Sequence, residues 1–214
     1  NQQIDLSKNY RDKNFRKNVS MIFQDSIGSL SPRIKVKHLI AEPFRIHKIN
    51  NSNIKKEVNQ LLESVGLSSN FLDRYPHELS GGQAKRISIA RAIALKPKLL
   101  IADEPTAGLD VSIQGEILNL LKSIQDIYGM SIMIISHNLN IIRHITDDLA
   151  VMYFGKIMER GSTEKIFKSP KHPYTKALTS LAKKPDIDHK NQKIELKGEV
   201  PSIFERKSGC VFSS

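Results

Sequence analysis

Residues 79–104 read LSGGQAKRISIARAIALKPKLLIADE, and this stretch decides the architecture. Ser80-Gly81-Gly82 opens a helix that runs on through Ile87, Ala90, Arg91 and Ala94. Pro97 ends it, because proline lacks the N–H that an interior helical position donates. Leu99-Leu100-Ile101-Ala102 is an unbroken apolar run ending in Asp103-Glu104. A strand buried on both faces looks like this when its carboxyl end meets a site. In parallel sheets, ligands sit beyond the carboxyl ends of the strands, so the two acids stand where chemistry is expected.

The same alternation extends in both directions. Upstream, Ile4 and Leu6 alternate with polar neighbours, and Val19-Ser20-Met21-Ile22-Phe23 reads as a strand. Residues 24–34 hold Gly28, Pro32 and several Ser, so they form a loop. Helical apolar spacing covers 35–47 (Val36, Leu39, Ile40) and 53–65 (Ile54, Val58, Leu61, Leu62, Val65), with Gly66 as a stop. Downstream come an amphipathic helix over 111–127, Gly129, a strand Ile132-Met133-Ile134-Ile135, a helix over 138–145, a strand over 149–153 and a hairpin around Gly155-Lys156. Apolar strands alternating with helices predict an α/β fold, a mostly parallel sheet flanked by helices, with a small helical subdomain at about 35–95. Beyond about residue 184 the chain turns polar and Lys-rich and reads as a loosely ordered extension.

Composition excludes several classes. With 39% hydrophobic and 26% charged residues, the 214-residue chain has enough apolar material for a real core. No apolar run approaches the ~20 residues needed to span a bilayer as a helix. The single cysteine, Cys210, rules out an internal disulfide framework, and no Cys/His cluster has zinc-ligand spacing. A net charge of +11 admits nucleic acid, anionic lipid or nucleotide as partners. The lysines, however, are spread along the whole chain, densest from Lys183 to Lys197, which reads as a solvated segment.

Three groups fall at carboxyl ends of strands: Gln24, Asp103-Glu104, and His137 after Ser136. Asp103 suits a Mg²⁺ site through oxygen ligands, and Glu104 could orient or deprotonate a water attacking a γ-phosphate. The plain alternative is a capping Asp beside a surface Glu. In Ser80-Gly81-Gly82-Gln83, two glycines admit close backbone approach, and a helix N-terminus adds unused N–H donors and partial positive charge. The result is an anion cradle without a lysine. Its plain alternative is a glycine-rich turn with a Ser N-cap.

These motifs together resemble the ABC ATPases. Leu79-Ser80-Gly81-Gly82-Gln83 is similar to their signature, Leu99 to Glu104 to their Walker B strand, and Ala107-Gly108-Leu109-Asp110 to their D-loop. Ser136-His137 resembles the switch histidine and Phe23-Gln24-Asp25 the Q-loop, all in the family's order. A narrower resemblance, to the ATPases of oligopeptide, dipeptide and nickel permeases, rests on Ser29-Leu30-Ser31-Pro32-Arg33, on Tyr75-Pro76-His77-Glu78-Leu79, and on Ser169-Pro170-Lys171-His172-Pro173-Tyr174-Thr175. The last stretch can also be read as a turn before a helix over 174–182.

The resemblance implies a P-loop NTPase-like ABC ATPase domain over 1–168 and a permease-type extension over 169–214. It implies ATP and Mg²⁺ as cofactors. Asp103 would hold Mg²⁺, with Gln24 reaching Mg²⁺ or the lytic water, and Glu104 would be the general base. His137 would contact the γ-phosphate. Ser80, Gly81, Gly82 and Gln83 would close over ATP held by a second ATPase subunit, identical or a sister chain, and Asp110 would work across that interface. Simpler roles stay open: a helix cap for His137, an ordinary loop position for Gln24, an N-cap for Asp110. Implied partners are two membrane permease subunits and, indirectly, a solute-binding protein. The implied place is the cytoplasmic face of the membrane, as a peripheral subunit importing peptides or a related small solute. A soluble ABC-type ATPase acting on nucleic acid or ribosomes, and a non-catalytic remnant, are the alternatives.

The sequence departs from the family in three places. The phosphate loop, G-x-x-x-x-G-K-(S/T), does not occur: at the one Gly-Lys pair, Gly155-Lys156, Ala150 stands where the first Gly belongs and Ile157 follows the Lys. We read this as truncation ahead of Asn1. After the signature, Ala84-Lys85-Arg86 replaces the family's usual residues, a change expected to affect only a helix surface. Ser208-Gly209-Cys210 resembles the start of a cysteine-containing tail. Without the loop the β- and γ-phosphates lack their lysine and most backbone donors. The 214 residues alone should therefore bind ATP weakly and release no phosphate from it, and robust hydrolysis in a phosphate-release assay would overturn this.

Overall fold

The helix–strand alternation closes into a parallel sheet in the computed structural model, which describes residues 12–49, 53–182 and Phe212. The chain divides between Ile135 and Ser136 into two units.

In the first unit, β1 (Val19–Ile22), β2 (Leu99–Asp103) and β3 (Ser131–Ile135) lie side by side in that order, both pairs parallel. The register sets Ile22 opposite Ala102 and Asp103 opposite Ile135. The segments after β1 and β2 therefore emerge at one end of the sheet. Between β1 and β2 run α2 (Val36–Ile46), α3 (Ile54–Ser64), short 3₁₀ turns at Ser69–Phe71 and Pro76–Glu78, and α4 (Gly81–Ile93). Helix α5 (Val111–Tyr128) joins β2 to β3. Gly66 and Gly129 sit just past α3 and α5 at φ +73° and +62°, where a β-carbon would be strained, so both helices stop there.

Helix α4 is the axis of this unit. Ala84, Lys85, Ile87, Ser88, Ile89, Ala90 and Ile93 are all buried, so it has hardly any solvent face. Around it pack Leu39, Ile40 and Phe44 of α2, Val58, Leu61 and Leu62 of α3, Ile22 and Leu100 of the sheet, and Ile117 and Leu121 of α5. Each fully buried Leu or Ile here contributes about 1.5–3 kcal/mol of hydrophobic stabilisation.

Several expectations need correction. Strand β2 is buried on one face only: Leu100 and Ala102 are fully covered, while Leu99, Ile101 and Asp103 are half-buried. Their neighbours on that second face, Met21 and Met133, are 38% and 52% exposed. An apolar run shows that a strand is hydrophobic, but not how many of its faces are covered. Helix α4 ends at Ile93, four residues before Pro97, because Lys96 turns left-handed at φ +49°. Helix α1 (Lys13–Asn18) was not foreseen; six mostly polar residues are too few for a 3.6-residue period to show. The Asp12 carboxylate starts it by accepting from Asn14 N at 2.8 Å.

The second unit contains α6 (Leu139–Ile145), an antiparallel hairpin of β4 (Asp148–Tyr153) and β5 (Lys156–Ser162), α7 (Thr163–Lys168) and α8 (Pro173–Leu181). The hairpin turns at Phe154-Gly155, both at positive φ, the backbone that matches the twist of a two-residue loop. The stretch before α8 is indeed a turn. His172 caps the helix, its Nδ1 accepting from Tyr174 N at 3.2 Å, and Pro173 occupies the first turn, where no N–H is missed. Glu159 of β5 holds the turn in place, accepting from Lys171 N at 2.9 Å and from His172 N at 3.0 Å. The rings of Tyr153, His172 and Tyr174 surround Phe212, with centroids 5.4–5.6 Å from it. The readings made for Ile4, Leu6, Lys183 to Lys197 and Cys210 fall outside the described residues.

Burial alone would raise the Glu159 carboxyl, but the N–H donors of His172 and Lys171, together with the Thr175 side chain and the His172 charge, hold the group below its ordinary 4.5. A lowered folded-state value means stabilisation that is fully present above the ordinary value and lost as pH falls through the lowered one. Glu159→Gln should therefore lower the thermal unfolding midpoint of the full-length protein at pH 7, with the gap to wild type closing in acid. A gap of equal size at both ends would exclude the carboxylate as the cause.

Candidate functional site

At the N-terminus of α4, Ser80 and Gln83 cap one another. Ser80 Oγ accepts from Gln83 N at 3.3 Å, and Ser80 N donates to Gln83 Oε1 at 3.0 Å. This reciprocal box satisfies two donors at the helix start. It leaves the Gly81 and Gly82 amides as first-turn donors for which a helix has no internal acceptor. The plain reading of Ser80 as an N-cap therefore holds, while its hydroxyl proton still has a direction to point.

The two glycines also answer a packing need that the sequence did not reveal. A β-carbon on Gly82 would sit 3.0 Å from Ile113 Cγ2, and one on Gly81 would sit 3.4 Å from Leu109 Cδ2. The start of α4 is thus pressed against the turn that carries Asp110 and against the first turn of α5. Asp110 stands at the N-cap position of α5, yet makes no side-chain capping bond. The turn is held by Gln114, whose Nε2 donates to Leu109 O at 2.8 Å.

At the carboxyl end of β2, Glu104 adopts φ +44°, a left-handed conformation uncommon outside glycine. Its N–H donates to Ile135 O at 2.9 Å and its carbonyl accepts from Ala107 N at 3.1 Å. The backbone therefore turns sharply just where the acid sits, and strain of this kind concentrates at functional positions. Gln24 lies two residues beyond the end of β1, exposed, on the strand adjacent to Asp103. His137 belongs to the second unit and is exposed. It is not the cap of α6: Asn138 takes that place, its Oδ1 accepting from Asn140 N and Ile141 N.

Sequence reading missed one group of residues, and one expectation fails with it. Lys85 does not lie on a helix surface; it is 2% exposed, because α4 is enclosed by α2, α3, α5 and the sheet. Its Nζ donates to Gln24 O at 3.1 Å. Burial lowers the Lys85 pKa, while the charges of Asp25 and Asp103 pull it back. Further along the helix, Ser88 Oγ donates to Ser26 O at 3.4 Å and Arg91 Nη1 to Ser29 O at 3.0 Å. Arg86 bonds Val65 O at 2.8 Å and pairs with Glu116 at 2.7 Å. The available signal was a lysine within a helix whose apolar residues, Ile87, Ile89, Ala90 and Ile93, are not confined to one face.

The loop gripped by these side chains is itself folded tightly. Asp25 Oδ1 accepts from Gly28 N at 2.8 Å, and Ser29 N donates to Asp25 O at 3.2 Å. A β-carbon on Gly28 would collide with the Asp25 carboxylate.

What these residues can do follows from their types. Asp103 and the Gln24 amide oxygen are hard oxygen donors at adjacent strand ends, the kind of ligand Mg²⁺ takes together with phosphate oxygens and water. Among the described residues, no group of three or more His, Cys, Asp or Glu is gathered as a complete metal site.

Comparison with known proteins agrees with this geometry. A family model described as "ABC transporter" matches residues 1–107, half of the chain. Another, "Oligopeptide/dipeptide transporter, C-terminal region", matches residues 158–214. The chain is 47% identical over 204 residues to the oligopeptide transport ATP-binding protein OppF of Haemophilus influenzae, covering 94% of this chain and 61% of that one. It is 43% identical over 199 residues to the dipeptide transport ATP-binding protein DppF of the same organism, covering 92% and 61%. The chain thus spans about three fifths of the length of these relatives. Among solved structures, cbiO1 from Clostridium perfringens, described as part of the ABC transporter complex cbiONQ, superposes with a TM-score of 0.65 at 32% identity. The match covers 72% of this chain and 61% of that one. The parallel α/β architecture is the P-loop NTPase-like fold that the motifs had implied.

Gly28→Ala should destabilise the first unit by about 1–3 kcal/mol, the usual range for forced overpacking. In an Asp25→Ala background most of that loss should vanish, because the colliding carboxylate is gone. Denaturant midpoints of the four proteins in the cycle decide it, and purely additive losses would contradict the contact.

Proposed function

The chain belongs to the ABC transporter ATP-binding family, and on that premise we propose that it is part of the ATP-hydrolysing subunit of an importer for oligopeptides, dipeptides or a related small solute. The observation that carries this reading is the start of α4. A Ser-Gly-Gly turn leaves amide donors open, and it is pressed against the Asp110 turn at one end of a helix whose other contacts reach the Gln24 loop and the Asp103 strand. The C-terminal match over residues 158–214 favours peptide transport over action on nucleic acid or ribosomes. The relatives named for oligopeptide and dipeptide transport support the same choice.

In this reading the 1–168 segment is the ATPase domain and 169–214 the extension. Asp103 and Gln24 hold Mg²⁺, which supplies charge neutralisation of the phosphates. Glu104 accepts a proton from the attacking water, from a left-handed backbone position just past the end of the strand. His137 contacts the γ-phosphate. Ser80, Gly81, Gly82 and Gln83 offer hydroxyl, amide and helix-end charge to triphosphate bound by a second ATPase subunit, and Asp110 lies beside them on that interface. Two permease subunits receive the movement. Among the described residues no helix is long and apolar enough to cross a membrane.

A full-length gene carrying Glu104→Gln is the test. The amide keeps shape and polarity but cannot take a proton at neutral pH. ATP binding should persist within about threefold, while solute uptake and ATP turnover fall by about a hundredfold or more, the scale of losing a general base. Undiminished uptake would remove Glu104 from the mechanism.

A further inference from the structure

The loop that carries Gln24 is held by the side chains of a single helix. Lys85, Ser88 and Arg91 lie three residues apart along α4, and they donate in turn to the main-chain oxygens of Gln24, Ser26 and Ser29. Arg91 is braced by an ion pair with Glu42 of α2 at 2.6 Å. These contacts join residues some sixty positions apart in sequence. They are directed at backbone, so they restrain the path of the loop and leave the Gln24 side chain exposed at its tip.

Burial makes the arrangement unusual. A lysine at 2% exposure loses most of its hydration, a penalty that apolar packing does not return. A hydrophobic residue of the same volume would fill the space at less expense. A charged donor kept at such a place is explained by what it holds: one loop carbonyl, with Asp25 and Asp103 near enough to offset its charge.

We propose that the polar stripe Lys85–Ser88–Arg91 is a positioning clamp that ties the backbone of the Gln24 loop to the signature helix, so that the loop and the Ser80-Gly81-Gly82 cradle move as one body. The functional meaning rests on the ATPase reading above; the mechanical claim does not. Lys85 lies little more than one turn from the Ser80 cap and Arg91 near the far end of the thirteen-residue α4, which is packed on most sides, so displacement along the stripe is carried to the cap without bending. The clamp residues direct their donors at loop backbone. They act through Gln24, which they place, and through the cradle at the start of their own helix.

The test uses full-length protein with Lys85→Met, which keeps the stem volume and removes charge and donor, and Lys85→Gln, which restores a neutral N–H donor. Replacing a buried charge by an apolar side chain is commonly neutral or stabilising, so the thermal midpoint of Lys85→Met should stay level or rise. Amide hydrogen exchange across Gln24–Ser29 should nevertheless speed up by about tenfold, with α3 unchanged, because local opening no longer breaks the clamp bond. In ATP hydrolysis, kcat should fall by about tenfold with KM within about threefold, as expected when a reacting group is misplaced and not removed. Lys85→Gln should recover most of both effects. On a Gln24→Ala background, Lys85→Met should cost little more, since both act through one side chain.

Unchanged exchange over Gln24–Ser29, or kcat losses that multiply in the double variant, would overturn the clamp. Should Lys85→Met fail to fold, Ser88→Ala and Arg91→Met carry the same exchange measurement. If wild-type full-length protein does not hydrolyse ATP, the ATPase reading falls, and the exchange experiment still decides the clamp by itself.

Discussion

Helix α4 has almost no face turned to water, and the rest of the first unit is arranged around that fact. A helix enclosed by two other helices, a sheet and α5 must be apolar nearly all round, and its sequence is: Ile87, Ile89, Ala90 and Ile93 fill the contacts. Any polar side chain left on it must find a partner inside the protein. Lys85, Ser88 and Arg91 find theirs in the carbonyls of one loop. The loop serves one of those carbonyls itself, Ser29 Oγ donating to Ser26 O at 2.9 Å, and leaves those of Gln24 and Ser29 to the helix. Packing and polar satisfaction thus solve each other's problem, and the by-product is a fixed relation between the Gln24 loop and the Ser80 cap.

Local backbone chemistry then places the groups that could act. The capping box at Ser80 spends one side chain on each of two donors, and keeps the Gly81 and Gly82 amides for something outside the helix. Glycine is required at 81 and 82 for a second reason, the nearness of Leu109 and Ile113, so the same small residues serve ligand access and internal packing. At Glu104 the left-handed turn follows directly from leaving a strand whose last ladder bond is made to Ile135. The acid thus stands at the carboxyl end of the sheet, where ligands of parallel α/β folds sit. In the second unit, the Ser-Pro-Lys-His-Pro-Tyr stretch works mechanically: Glu159 and His172 between them satisfy the backbone of the turn that starts α8.

Legibility of these features followed the physics behind each one. Helices α2, α3 and α5 were readable because one face of each is apolar at helical spacing, and the ends of α3 and α5 because glycine takes φ values other residues avoid. Strands β1 to β3 were readable as short runs rich in apolar β-formers. Helix α1 was not, since six residues carry no period and its start depends on one Asp12 bond. The exposure of Met21 and Met133 was not, since hydrophobicity of a strand says nothing about what lies over it. Among the site residues, Ser80, Gly81, Gly82 and Asp103 announced themselves by spacing around a helix start and a strand end. Lys85 looked like a surface residue because lysine nearly always is one.

The amino-acid sequence by itself determined the order of elements, the α/β class, the family, and the positions at which acids, glycines and the capping serine meet strand and helix ends. Those are local properties, set by periodicity, backbone freedom and residue type within a few positions. Only the tertiary structure decided that Lys85, Ser88 and Arg91 face the loop at 24–29, that Gly82 lies against Ile113, and that one face of β2 is covered and the other half-open. Those relations join residues tens of positions apart, or depend on which surfaces meet, and no local pattern carries them. They exist only once burial has forced distant polar groups to choose partners.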